Sequence, residues 1–358
     1  MEWKEYKSEK GIRLIYRKIP EFNSVAVGIF VKAGSRTEND EIAGISHFIE
    51  HILFKGTKKR TGNQIKEEIE GVGGILNGFT SEETTCYWIK ILNEYIERTF
   101  DVLSDMIKNP ALKDEDIEKE RSVILEEINM YRDIPAKYIY EIFDSILFYK
   151  HHLGRPIAGT IDTVKKITKE DMQKYLKKFY NSSNIVISIA GNFSESKVKK
   201  LFYKYFNVRK GKESSFDRWK GNGKGPKVKV LKKSTEQTHI VLGGIAFSRE
   251  DRRKYPLSVL NTILGGNMSS RLFNRIREEM GLAYDIRSFT RSYVDTGAFI
   301  ISAGVNPSNS LKTTKAIIEE LIKIRNEGVT EEEIERAKKY IISHTLMELE
   351  GNLEYMMF

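Results

Sequence analysis

Cysteine is nearly absent: Cys86 is the one thiol in 358 residues. An internal disulfide is excluded, and such usage points to a reducing compartment. Long hydrophobic runs are missing too. The most apolar stretches, 25–31 (VAVGIFV) and 185–190 (IVISIA), fall far short of the ~20 residues that span a bilayer. The first residues, MEWKEYKSEKG, have neither an apolar h-region nor an Arg/Ser-rich amphipathic leader. No secretory signal or mitochondrial transit peptide is expected, and the protein reads as cytoplasmic with no membrane partner. Charge of one sign does not dominate. Lys+Arg number 59 against 50 Asp+Glu, a net +9 spread over a charged share of 30%, which describes an ordinary mixed surface. A nucleic-acid partner is therefore not expected. The weaker alternative, a basic nucleic-acid-binding module, would rest on the Lys-rich stretch 197–233, which reads as a helix surface and a linker.

What is present describes a folded chain. A hydrophobic share of 40% with 11% aromatics supplies buried cores, and the length favours two domains. The β-branched runs 25–31 and 185–190 are bounded by turn residues and predict strands. Between them lie helical periods at 63–72, 94–107, 114–131 and 169–180, the first with Ile65, Ile69 and Val72 before a Gly-Gly stop. Helices and short strands in mixed order predict an α+β architecture. The Gly-, Ser- and Lys-rich stretch 208–226 reads as a linker, placing one domain at 1–210, the linker proper at 211–226 and a second domain at 227–358.

The second part repeats the first. A shift of about 210 residues lays Gly71, Phe79 and Thr80 over Gly281, Phe289 and Thr290, so KEEIEGVGGILNGFT matches REEMGLAYDIRSFT as helix, glycine stop and strand. A shift of about 217 lays LKDEDIEKERSVI over VTEEEIERAKKYI, the change of offset fitting an insertion at 305–311. The expectation is a duplicated α/β domain with a mixed antiparallel sheet packed by helices. The segment that follows Glu127 in the first copy would need about 60 residues beyond Phe358 in the second, so the second copy is expected to be C-terminally incomplete.

Chemistry concentrates in GISHFIEHILFKGT. His47 and His51 stand four apart, about 40° around a helix axis, so both imidazoles project side by side and can grip one metal ion. Glu50 neighbours both. Two histidines with a carboxylate free to take a proton suit a zinc hydrolase, and the His-x-x-Glu-His order is the inverted zincin signature. The residues alone leave open two histidines on a partly buried helix face. A third ligand is usual. On the helix 114–131, with Ile117 as origin, Ile124, Ile128 and Tyr131 form the buried stripe, Glu120 and Glu127 flank it, and Glu126 points outward. Two carboxylates on a core-facing flank need partners: a metal with its histidines, or buried Arg or Lys. Cys86 reads as a small core residue rather than a nucleophile.

Taken with AGSRTEND, GGILNGFTSEETTCYW, EKERSVILEEI, HLGRPIAGT and LGGNMSSRLFNRIREEMGLAYDIRSF, this segment makes the chain resemble the pitrilysin/insulinase family of zinc peptidases over nearly its whole length, most of all the mitochondrial-processing-peptidase branch with its bacterial single-chain homologues. The resemblance implies one Zn2+ per chain held by His47, His51 and Glu127, with Glu50 as general base and Glu120 as the acid behind the ligands. It implies that Arg277 and Tyr284 hold the substrate carbonyl, and that the strand Asn77, Gly78, Phe79, Thr80 takes an extended peptide. Under the 210 offset His47, Glu50 and His51 fall on Leu257, Leu260 and Asn261, so the second copy has lost the metal set. The expected function is a zinc-dependent endopeptidase acting on peptides or unfolded segments, as a homodimer or paired with a related chain. A non-catalytic assembly or presenting subunit of the same family is the alternative.

Overall fold

In the computed structural model, which describes residues 3–221 and 227–357, the strands are β1 (Lys4–Lys7), β2 (Arg13–Lys18), β3 (Ser24–Val31), β4 (Ile75–Thr80), β5 (Thr85–Leu92), β6 (Ile185–Gly191), β7 (Thr238–Ala246), β8 (Ala283–Ser292) and β9 (Gly297–Val305). The helices are α1 (Ile45–Leu53), α2 (Gly62–Glu70), α3 (Ile96–Lys108), α4 (Asp114–Asp133), α5 (Pro135–Leu147), α6 (Ile161–Lys166), α7 (Lys169–Phe179), α8 (Glu195–Tyr205), α9 (Lys254–Gly265), α10 (Ser310–Glu327), α11 (Glu331–Glu348) and α12 (Asn352–Met357). Two compact units result. The first comprises residues 3–129, 155–217 and 348–357; the second comprises 130–154, 218–221 and 227–347.

The first unit carries a six-stranded mixed sheet in the order β1-β2-β6-β3-β5-β4. β2 and β6 run parallel and the remaining pairs antiparallel. Period-two alternation assigns the faces of β3. Val25, Val27, Ile29 and Val31 enter the large core under the helices, while Ala26 and Phe30 face the other way. That other face is covered by α12: Met356 packs on Ala26 and Ala190, beside Trp88, Leu353 and Tyr355. The Ser188 hydroxyl donates to the Met356 carbonyl at 2.8 Å, and Asn352 Nδ2 donates to Ser24 Oγ at 2.9 Å. Gly28 makes room for Met356, since a Cβ there would stand 2.2 Å from Met356 Sδ and the side chain would have to shift. A six-residue helix has no stability of its own, so α12 exists through this packing.

The second unit has the sheet order β7-β9-β8, the same relation as β3-β5-β4 in the first. Counterparts of β1, β2 and β6 do not occur among its described residues. One face packs Ile286, Ile301 and Ala303 against Leu264, Leu272, Ile276 and Ile317. The other takes α5, where Phe143 packs with Ala298 and Ile300 and Asp144 accepts two bonds from Arg291 at 2.6 and 2.8 Å. The 217-residue offset carries Pro135 onto Asn352, so α12 is the counterpart of α5. Each copy therefore lends this helix to the unit built by the other copy.

The compact units thus do not follow the division expected at the linker, since 130–154 and 348–357 belong across it. Period alone says that a helix is amphipathic, not which sheet it covers. Part of the expected linker, 222–226, lies outside the described residues. What precedes it is docked: Ser214 Oγ donates to the Lys32 carbonyl at 2.7 Å, and Phe216 lies under the Arg36 guanidinium at 4.3 Å, all within the first unit. Trp219 belongs to the second unit, where its backbone N–H donates to Asp295 Oδ2 and its ring meets Phe148 edge-on.

Candidate metal centre

Ile45, Phe48, Ile49 and Ile52 bury one stripe of α1, which leaves His47, Glu50 and His51 along its partly exposed flank. The start of α1 is fixed by Glu38, a buried carboxylate that accepts from the N–H groups of Gly44 at 2.7 Å and Ser46 at 2.8 Å. Burial raises the pKa of Glu38 against the lowering effect of these bonds. Gly44 takes φ = 97°, a conformation that favours glycine, and its Cα side is closed by the Ala158 carbonyl of HLGRPIAGT, 2.5 Å from any added Cβ. Arg155 of the same motif donates to the Glu38 carbonyl at 3.0 Å and pairs with Asp40. The Tyr175 hydroxyl joins Ser46 Oγ at 2.6 Å and Thr37 Oγ1 at 2.7 Å. These contacts hold α1 in place.

The second element of the site is α4. Ile117, Ile124 and Ile128 are buried as the helical period requires, Glu126 is exposed, and Glu120 and Glu127 lie on the flank facing α1. Tyr131 departs from expectation: it is 36% exposed, because α4 has left the first unit's core by Met130, and its ring receives the Lys137 ammonium instead. Arg121 fixes the rotation of α4 by donating to the Val164 and Ile167 carbonyls where α6 ends.

The three expected ligands converge. One donor atom each from His47, His51 and Glu127 lies within 4.8 Å of the others. Glu127 Oε2 stands 3.6 Å from His47 Nε2 and 3.7 Å from His51 Nε2. These separations are too long for hydrogen bonds and close to the ~3.3 Å between donors of a tetrahedral site with bonds of ~2.0–2.1 Å. Two imidazoles and a carboxylate are a donor set that suits zinc. Burial first, and then His51, lower the pKa of His47 to about 4, so its ring is neutral with a lone pair to give at ordinary pH. Burial also raises the pKa of Glu50, opposed by a hydrogen bond of 2.8 Å from Thr80 Oγ1.

The His47 shift has a consequence for the metal-free chain. A histidine whose pKa is depressed on folding takes up protons in the unfolded state first, so its contribution is present above pH ~6.5 and is lost as pH falls toward 4. Chelator-treated wild type should lose about 3 kcal/mol more over that window than His47→Gln in denaturant titrations. Parallel profiles would contradict a neutral buried ring.

The protein-family model described as insulinase, peptidase family M16, matches residues 13–161, and that described as peptidase M16 inactive domain matches 166–341. The uncharacterized zinc protease YmxG of Bacillus subtilis is 36% identical over 348 residues, 97% of this chain and 85% of that protein. The chain belongs to the M16 peptidase family. Among other M16 relatives, an uncharacterized zinc protease of Rickettsia bellii is 38% identical over 95% of this chain and 82% of its own. The same fold occurs in a protease from Helicobacter pylori, with a TM-score of 0.90 at 23% identity over 99% of this chain and 87% of that one. A chain of complex III2 from Candida albicans has a TM-score of 0.84 at 18% identity, over 99% and 84%.

The M16 inactive-domain match covers the copy in which Leu257, Leu260 and Asn261 of α9 stand at the positions of His47, Glu50 and His51 under the 210-residue offset. Within that second unit Arg277 and Tyr284 meet: the guanidinium lies 5.0 Å from the tyrosine ring centroid and 4.7 Å from that of Phe273. Arg277 sits in a π-helical turn, Phe273–Glu279, and Tyr284 is the extra residue at an irregularity of the β8–β9 ladder, 77% exposed. Both devices turn side chains out of regular register and recur beside functional sites.

In the first unit the four residues of the expected peptide strand divide by face. Gly78 and Thr80 turn toward Glu50, while Asn77 and Phe79 are exposed on the opposite side of β4, the edge strand. Two contacts were not read from the sequence. Thr80 bonds Glu50, and Lys55 binds Glu120 at 2.5 Å while the other Glu120 oxygen holds His51 Nδ1 at 3.1 Å. The second had a signal, since His47, His51 and Lys55 are spaced by four. The first had none. Cys86 is buried, and burial together with Glu50 pushes its thiol pKa well above the usual range, unlike a nucleophile. No helix among the described residues is long and apolar enough to cross a membrane.

Proposed function

We propose that this chain is a zinc-dependent endopeptidase that cleaves peptides or unfolded segments. The observation that carries the reading is the convergence of His47, His51 and Glu127 with Glu50 held beside them by Thr80. When bound, zinc supplies Lewis acidity to a water molecule and to the scissile carbonyl. Glu50 takes the proton that water sheds as its oxygen bonds to the carbonyl carbon, and delivers it to the nitrogen as the C–N bond breaks. Burial, which raises the affinity of Glu50 for a proton, suits it to carry one between these steps. Glu120 orients His51 through Nδ1.

The free edge of β4 offers main-chain groups of Asn77, Gly78, Phe79 and Thr80 to an extended substrate, and strand addition admits only chains without fixed structure. Arg277 and Tyr284 supply a cation and a phenol donor for the developing oxyanion. Pairing with a second copy or a related chain belongs to the same proposal, in a protein with one zinc per chain.

The purified chain should carry about one zinc. A strong chelator should abolish hydrolysis of an unstructured peptide, and zinc should restore it. A chain that takes up no zinc, or one that hydrolyses peptides equally well without it, rules the reading out.

A further inference from the structure

Lys55 stands one turn beyond His51, just past the end of α1, where its N–H donates to the Ile52 carbonyl at 3.0 Å. Its Nζ lies 2.5 Å from Glu120 Oε1, and Glu120 Oε2 lies 3.1 Å from His51 Nδ1. The Glu120 side chain is 7% exposed, whereas that of Lys55 is 39% exposed. Each carboxylate oxygen thus has one partner. The group cannot rotate about its stem without giving up the ammonium or the imidazole.

We infer that Lys55 is a positioning residue of the metal centre: it locks the Glu120 carboxylate so that His51 presents Nε2 toward Glu127 and His47. The inference rests on the zinc reading of the site. Glu120 without Lys55 is a nearly buried carboxylate with a single weak tether, free to turn toward water and to release the ring it orients. Charge supports the same assignment. Glu50, Glu120 and Glu127 bring three carboxylates around two imidazoles; a divalent ion balances two of them, and the Lys55 ammonium balances the third.

The test measures zinc affinity of the full-length chain by competition with a chromogenic chelator. Lys55→Met should weaken zinc binding about tenfold or more, Lys55→Arg should recover most of the loss, and Lys58→Met, an exposed neighbour, should match wild type. The decisive comparison is made in a Glu120→Gln background. Positioning through Glu120 requires that Lys55→Met add nothing further there, whereas a structural role of Lys55 would weaken binding by the same factor in both backgrounds. An equal loss in both, or wild-type affinity in Lys55→Met, overturns the inference while leaving the zinc reading standing. A wild-type chain that takes up no zinc removes both. Circular dichroism of the metal-free variants checks that they fold, and should Lys55→Met fail to fold, Lys55→Gln carries the same comparison.

Discussion

Glu50→Gln is expected to retain zinc and to lose between about a hundred- and ten-thousand-fold in turnover of an unstructured peptide. The substitution keeps the volume of the side chain, and its amide oxygen still accepts the Thr80 hydroxyl that holds Glu50 at 2.8 Å. What it removes is the ability to receive a proton. Because neither His47 nor His51 depends on Glu50 for a hydrogen bond, metal content should stay near that of wild type. The measurement is a pair: zinc per chain by elemental analysis, and kcat under substrate saturation. Undiminished kcat would remove Glu50 as the base; lost zinc would show that the carboxylate contributes to the site in another way.

Glu127→Ala should have the opposite signature. It deletes the anionic member of the ligand set and leaves two imidazoles, one donor short of the three that catalytic zinc usually requires. Structural zinc sites gain roughly 10–16 kcal/mol from about four ligands, so losing one is worth about 3 kcal/mol, or at least a hundredfold in affinity. Hydrolysis should fall with occupancy and return in part at high zinc. Glu126→Ala is the control, since its side chain points to solvent one residue away. Wild-type affinity in Glu127→Ala would send the search for the third ligand elsewhere. Together the two variants separate holding the metal from using it.

Much of this site was legible in the sequence because helical geometry converts spacing into direction. The four-position spacing of His47 and His51 places two rings side by side, and the apolar stripe of α4 turns Glu120 and Glu127 inward. The same period failed at Tyr131, because it describes an infinite helix and not where the core underneath stops. The strand 25–31 was readable from its apolar run, yet the parallel pairing of β2 with β6 was not, since register depends on partners far apart in the chain. Contacts made by side-chain tips, Thr80 on Glu50 and Lys55 on Glu120, leave no periodic trace at all. The exchange of α5 and α12 was hidden for a related reason. Repetition shows that two segments are equivalent, but equivalence is preserved whether each helix covers its own sheet or the other one.

That exchange orders events in time. A chain emerging from the ribosome has made α1 and α4, and with them every residue of the metal centre, long before it makes Met356. Until then Ala26, Phe30, Trp88 and Ala190 have no cover, and the first unit presents an apolar sheet face to whatever surrounds it. Synthesis of α12 is thus the step that covers this face of the first unit. A nascent chain halted within α11 would carry His47, His51 and Glu127 beside an uncovered apolar sheet face, and would be a natural client for a chaperone.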